Sequence, residues 1–98
     1  MSRFEIDVQM TGQQPPYRFS VKVKEGGGAS THEVTLAETT YQELAGGGCS
    51  PEECVRLSFE FLLAREPKES ILGRFDVTVI ERYFPEFREE FARLLGRG

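Results

Sequence analysis

Apolar and polar side chains alternate along three segments of the N-terminal half of the chain, residues 4–10, 17–23 and 32–36. Alternation with a period of two is typical of β-strands that bury one face. The intervening segments, TGQQPP and EGGGAS, are rich in the residues that form turns and loops. The pattern therefore predicts a three-stranded antiparallel meander with one apolar face.

The charged residues of these segments suggest how the strands align. If Met10 lies opposite Tyr17, the apolar side chains of the first two strands meet on one face, and Glu5 lies opposite Lys22 on the other. Placing Val34 opposite Val23 has the same effect for the second and third strands. We expect this register because it satisfies the hydrophobic pattern and the charges together.

The segment Ser50–Glu66 has a helical period, with apolar residues over most of the circumference and charged residues in one narrow sector. Such a helix is mostly buried. Its start is well marked, because Ser50 can cap the first free N–H groups, Pro51 suits the first helical position, and Glu53 can complete a capping box. We therefore expect a central helix around which the rest of the chain packs.

Apolar residues in the C-terminal third recur at a spacing of three and four over residues 77–94, which places them on one side of a helix. Pro85 interrupts the pattern, so we expect two helices or one kinked helix, over residues 76–84 and 85–95. A competing interpretation treats residues 74–80, RFDVTVI, as a strand, because their apolar side chains alternate and several are β-branched. The preceding segment, PKESILGRF, overlaps the first two residues of this stretch and is predicted to form a turn or one short helical segment. The sequence leaves the choice between strand and helix open.

These elements predict a single α+β domain over residues 1–98. In it, a three-stranded antiparallel meander is followed by three to four helices packed on one face, the first of them over residues 37–45. A chain of 98 residues can bury one core without a metal or a disulfide.

Charge and cysteine content narrow the classes of function. The net charge of -4 is shared evenly between the two halves of the chain, and no basic cluster stands out. This argues against general binding to nucleic acid or to an anionic membrane, which depends on clustered Lys and Arg.

Cys49 and Cys54 form neither a CxxC pair nor a disulfide framework, which fits a reducing cytoplasm. The chain shows no signal segment and no apolar run long enough to cross a membrane, so we expect a cytoplasmic protein without a membrane partner.

Residues with catalytic or metal-binding chemistry are few. His32, the only histidine, could act as a base for Cys49, whose position at a helix start can lower a thiol pKa. Glu52 and Glu53 would oppose that lowering, and no third residue orients the pair. A zinc site built from His32, Cys49 and Cys54 would have one ligand too few and the wrong spacing. We therefore expect no catalytic, cofactor-binding or metal-binding residues, and no enzymatic activity.

Aromatic side chains are concentrated on the predicted C-terminal helices, where they are the best candidates for a binding surface. They could pack against the central helix, or they could form a surface for a partner protein or for self-association. Because the central helix needs a cover, inward packing is favoured. The candidate partner-binding residues are Tyr83, Phe84, Phe87 and Phe91.

Residues 32–66 contain a strand, HEVTL, then a short helix, a glycine-rich turn and a second helix that begins SPEE. This order resembles that of ribbon-helix-helix transcriptional regulators, in which the strand pairs with its twin in a dimer and reads the major groove of DNA. The resemblance implies that Glu33 and Thr35 would face DNA and that Ser50 would lie near the phosphate backbone. In this chain two predicted strands precede HEVTL and would occupy its edge.

The segments REPKESIL and FDVTVIERYFPEF resemble the sequences of small uncharacterised bacterial proteins. That resemblance implies a self-contained bacterial domain and no particular activity.

From all these observations we expect a non-catalytic, cytoplasmic interaction or regulatory module that needs no cofactor and binds another protein or itself. The alternative hypothesis is a DNA-binding regulator of the ribbon-helix-helix type.

Overall fold

The structure, a computed structural model, describes residues 4–97 of the chain. Within these residues the fold is α+β, with a mixed four-stranded sheet and four α-helices. The strands are β1 (Phe4–Gly12), β2 (Tyr17–Glu25), β3 (Gly28–Leu36) and β4 (Arg74–Asp76), and the helices are α1 (Glu38–Ala45), α2 (Pro51–Leu63), α3 (Thr78–Tyr83) and α4 (Phe87–Arg97). The first three strands form an antiparallel meander, and β4 joins it parallel to β3.

The predicted fold class and the meander are confirmed, but the sheet has a fourth strand. β4 is held in place by contacts with distant parts of the chain. The ring of Phe75 packs on that of Phe59 in α2, with centroids 5.9 Å apart, and Thr35 Oγ1 donates a hydrogen bond to Asp76 Oδ1 at 2.6 Å. A strand of three residues is too short for its alternation to decide between strand and helix, and these long-range contacts fix it as a strand.

The predicted pairing of β1 with β2 is wrong by two residues. Met10 lies opposite Phe19 rather than Tyr17, and Asp7 consequently lies opposite Lys22. Both registers keep the apolar side chains on one face and place at least one acidic residue opposite a lysine, because acids and lysines each recur at every second position in these strands. The hydrophobic pattern therefore predicted correctly which face of each strand is buried, but it could not predict which residues of β1 and β2 lie opposite each other.

The predicted pairing of β2 with β3 is also wrong, here by four residues. Val23 lies opposite Ser30 instead of Val34, because β3 begins at Gly28, directly after a tight turn. The turn consists of Gly26 and Gly27, and the positive φ of 62° at Gly26 is a conformation that glycine adopts readily. The segment that the sequence suggested as a loose loop is thus mostly strand.

The central helix is confirmed as α2. Ser50 Oγ accepts a hydrogen bond from the backbone N–H of Glu53 at 3.1 Å, as expected of a helix cap. The carboxylate of Glu53 pairs with Arg56 on the exposed side of the helix, at 3.2 Å. α2 ends at Leu63, earlier than predicted, because Pro67 disfavours a helical conformation at the residue before it.

Residues 74–80 contain both a strand and the start of a helix, so each of the two interpretations is correct for part of the segment. Asp76 separates them. Its carboxylate accepts hydrogen bonds from the backbone N–H and the hydroxyl of Thr78, at 3.0 and 2.7 Å, and these bonds satisfy the start of α3. The two predicted helices on either side of Pro85 are confirmed as α3 and α4, with slightly different bounds.

The core lies between one face of the sheet and the helices. α2 contacts β1, β3 and α4, and its inward side chains are fully buried. Three aromatic rings, those of Phe61, Phe87 and Phe91, pack in succession where α2 meets α4, with centroids 5.0 and 5.8 Å apart. The opposite face of the sheet is polar and open to solvent.

Candidate functional site

An apolar groove of about 230 Å³ lies between the end of α2, the segment that leads into β4, and α3. Most of the side chains that line it are apolar, and they come from three separate parts of the chain. We call it the α2–α3 groove, and its walls include Leu62, Glu66, Ile71, Leu72, Tyr83 and Phe84.

Two of these side chains form an accessible apolar rim. Leu72 is 48% exposed and Tyr83 is 68% exposed, and no other large hydrophobic side chain in the described part of the chain is classed as exposed. Scattered apolar residues are common on protein surfaces, but exposed apolar residues that share one concave site are typical of binding surfaces. The groove is therefore the best candidate for a functional site.

The backbone beneath Leu72 is fixed to β3. His32 Nδ1 donates a hydrogen bond to the carbonyl oxygen of Leu72 at 2.7 Å. In addition, the backbone N–H of Glu33 donates to the carbonyl oxygen of Gly73 at 2.8 Å. The exposure of Leu72 thus follows from an anchored backbone and does not depend on a loose loop.

His32 holds this part of the groove in place. It is 2% exposed, and both of its ring nitrogens make hydrogen bonds. Because a carbonyl oxygen only accepts, Nδ1 carries the proton, and in the neutral ring Nε2 accepts from the hydroxyl of Ser30 at 2.8 Å. The ring also packs against Phe59, with centroids 5.4 Å apart. With both nitrogens used in this way, the histidine is a positioning residue and has no free nitrogen to act as a base.

The two cysteines have the properties of packed side chains rather than of nucleophiles. Burial raises the pKa of the Cys49 thiol, and the nearby carboxylate of Glu53 raises it further. Burial raises the pKa of Cys54 to about 12. Within residues 4–97, no group of three His, Cys, Asp or Glu side chains is arranged as a metal site would require.

The four aromatic residues proposed from the sequence are divided between the groove and the core. Tyr83 and Phe84 line the groove, whereas Phe87 and Phe91 are 2% and 0% exposed and belong to the core. Sequence reasoning did not identify Leu72. The one signal for it was an apolar pair, Ile71 and Leu72, between residues typical of turns.

Glu66 is the one acidic residue among those that line the groove. Among the residues that the structure describes, no basic side chain forms an ion pair with it. The neighbouring Arg65 is held by Glu86 at 3.3 Å and lies over the ring of Phe61, 3.8 Å from its centroid. The α2–α3 groove therefore presents an apolar surface with one uncompensated negative charge.

The open face of the sheet, in contrast, carries charges of both signs in alternation. Glu5 lies opposite Lys24, and Asp7 lies opposite Lys22. Because opposite charges at neighbouring positions cancel, these two pairs leave little net electrostatic field over this part of the face.

β3 is the strand that resembles the DNA-reading strand of ribbon-helix-helix regulators. It lies inside the sheet, paired with β2 along its length on one side and, over Glu33–Thr35, with β4 on the other, so that these three residues have strand partners on both sides within the chain. Thr35 donates to Asp76 and Ser50 caps α2. These contacts give both residues structural roles within the chain.

Comparison of the chain with protein-family models, with curated proteins and with solved structures gives no match. None of the helices in residues 4–97 is both long enough and apolar enough to span a membrane. The function is therefore inferred from the geometry and the chemistry of the groove.

Proposed function

We propose that this protein is a non-catalytic interaction module whose α2–α3 groove binds a protein partner. The partner inserts a large apolar side chain into the groove and places a basic residue beside it. The observation that carries this proposal is the presence, on one groove, of two exposed apolar side chains, Leu72 and Tyr83, together with the Glu66 carboxylate.

The composition of the groove supports binding. Aliphatic and aromatic side chains form most of its walls, and such walls exclude water from an apolar ligand. The hydrogen bonds from β3 hold the backbone at Leu72 before a partner arrives. A site that is already ordered loses little conformational entropy on binding, which favours affinity.

The size of the groove limits the affinity that it can provide. Burying one leucine-sized side chain contributes about 1.5–3 kcal/mol. Covering Leu72 and Tyr83 and seating one apolar side chain of the partner would contribute roughly three times that amount before the cost of association is subtracted. After that cost is subtracted, we expect weak binding of a short peptide, with a dissociation constant on the order of 0.1 to 1 millimolar.

The cytoplasm is the proposed compartment. Cys49 and Cys54 are both free thiols, and free thiols that are not part of a disulfide framework fit a reducing environment. A bacterial regulatory or scaffolding role would suit a small interaction module of this kind.

Selection of peptides from a random library displayed on phage, with the immobilised protein as bait, tests the proposal. We expect enriched peptides to carry a large apolar residue next to Lys or Arg. Fluorescence anisotropy with a synthetic copy of a selected peptide should show about tenfold weaker binding to the variants Leu72→Glu and Tyr83→Ala, since each removes an exposed contact residue. Circular dichroism would confirm that both variants remain folded.

Two further variants make this test specific. Glu66→Gln should weaken peptides that contain the basic residue and leave purely apolar peptides unchanged. Thr31→Glu introduces the same negative charge as Leu72→Glu, but at an exposed position on the open face of the sheet, and should have no effect. If the selected peptides bind all four variants with the same affinity as they bind the unmodified protein, the proposal is refuted.

A further inference from the structure

β1 is a long edge strand that lacks the usual protection against pairing with another chain. Its nine residues form one outer edge of the sheet, and β2 covers only the other side. Edge strands are commonly protected by Lys, by Pro or by short length, but FEIDVQMTG contains neither residue. An irregularity between Met10 and Gly12 affects only the end of the strand. The backbone groups on its outer edge are therefore available to a further strand.

The inward face of β1 is also incompletely covered. All four of its apolar side chains that point toward the helices remain partly exposed, whereas Phe19, Val21 and Val23 on β2 are fully buried. The four partly exposed side chains are Phe4, Ile6, Val8 and Met10. A free backbone edge and an apolar stripe thus occur on the same strand.

We infer that β1 pairs with β1 of a second copy of this chain, antiparallel, about a two-fold axis at Val8. The two sheets then form one continuous sheet of eight strands. This axis lies at the middle of β1, so the two strands overlap over their whole length, with the irregularity between Met10 and Gly12 at either end of the pair. Ile6 then lies opposite Met10 of the second copy, and Asp7 lies opposite Gln9 of the second copy, so that apolar side chains meet on one face and polar ones on the other.

The charges on β1 select this register. An axis at Ile6 would place Glu5 opposite Asp7, and an axis at Asp7 would place that carboxylate opposite its own copy. Like charges directly opposite each other destabilise a strand pair. An axis at Gln9 avoids such pairs but leaves the first two residues of β1 without partners. The axis at Val8 is therefore the one that uses the whole strand and has no pair of facing carboxylates.

A second copy fits this edge because the strand is complementary to itself under two-fold symmetry, the commonest symmetry of protein dimers. Strand pairing alone buries a small interface, so we expect a dissociation constant on the order of 10 to 100 micromolar. β1 and β4 lie at opposite ends of the sheet, and Phe75 of β4 lines the α2–α3 groove. Dimerisation therefore leaves the groove free and does not rest on the function proposed for it.

Sedimentation equilibrium over a dilution series up to about 500 micromolar, well above the expected dissociation constant, tests this inference. Gln9 is exposed and faces Asp7 of the second copy twice in each dimer. Gln9→Glu should therefore weaken the dimer about tenfold, because it creates two pairs of facing carboxylates, and Gln9→Lys should strengthen it to a similar extent. Thr31→Glu and Thr31→Lys, on the same face of the sheet but on the inner strand β3, are the matched controls and should not change the dissociation constant.

The pairing would be established by a dimer dissociation constant that rises with a negative charge and falls with a positive charge at position 9, and that does not change with either charge at position 31. The inference would be overturned by a protein that stays monomeric over the whole series. It would equally be overturned by a dimer that both Gln9 variants weaken alike or that neither variant affects. Leu72→Glu should leave the dimer unchanged, so failure of this inference and failure of the groove proposal give different results.

Discussion

Phe59 is the side chain on which we expect the stability of this fold to depend most. It is 0% exposed, and from α2 its ring packs against His32 of β3 and Phe75 of β4, with centroids 5.4 and 5.9 Å away. Truncation would leave a cavity between α2 and the two strands. Phe59→Ala should therefore lower the free energy of unfolding by about 4 kcal/mol, within the range of 3–5 kcal/mol typical of buried phenylalanines. Phe59→Leu, which keeps most of the volume, should lower it by about 1 kcal/mol.

The assay is urea denaturation followed by far-ultraviolet circular dichroism, in which the midpoint should fall while the m value stays the same. For a domain of this size a loss of about 4 kcal/mol corresponds to a decrease in Tm of roughly 15–30 °C. Tyr83→Leu is the matched control, because Tyr83 is 68% exposed and its replacement should change the stability by less than about 0.5 kcal/mol. A loss of less than about 1 kcal/mol for Phe59→Ala, or equal losses at the two positions, would refute the packing described for α2.

His32→Leu should lower the free energy of unfolding by about 1–3 kcal/mol in the same assay, because the carbonyl oxygen of Leu72 loses its buried donor; a variant as stable as the unmodified protein would contradict that role. The pKa of Cys54 is raised to about 12 in the folded state, so its stabilising contribution is complete below the thiol's ordinary pKa, near 9, and is lost as the pH rises toward about 12. Cys54→Ala should consequently lose stability less steeply between about pH 9 and pH 11 than the unmodified protein, and parallel pH profiles would show that the thiol does not contribute. Fluorescence anisotropy with duplex DNA should detect no binding that weakens steeply with added salt, whereas such binding would instead support the DNA-binding alternative.

α2 could be predicted because the signals for it are local. The cap at Ser50, Pro51 at the first helical position and the buried apolar positions all lie within the helix or directly before it. The strand faces were predictable for the same reason, since alternation is a property of each strand alone. The pairs between strands were not, because a shift by an even number of residues preserves the faces. The shift of two residues between β1 and β2 also keeps acids opposite lysines, whereas the shift of four between β2 and β3 places Glu33 opposite Ser20.

The α2–α3 groove could not be predicted because it exists only in three dimensions. Glu66, Leu72 and Tyr83 belong to three different segments, and no short pattern links them. Two of the aromatic residues proposed from the sequence, Tyr83 and Phe84, line the groove. The helical period alone could not separate these two from Phe87 and Phe91, since core-facing and partner-facing side chains follow the same spacing.

The central claim, that the groove is the binding surface, is tested most directly by titrating methyl-labelled protein with a selected peptide and recording NMR spectra. We predict that the methyl signals of Ile71, Leu72 and Val79, which line the groove, shift together and saturate at one dissociation constant. The methyl signals of Ile6 and Val8 on β1 should stay unchanged. Shifts at Ile6 and Val8 without shifts in the groove would contradict the claim and would place the binding surface at the edge of the sheet.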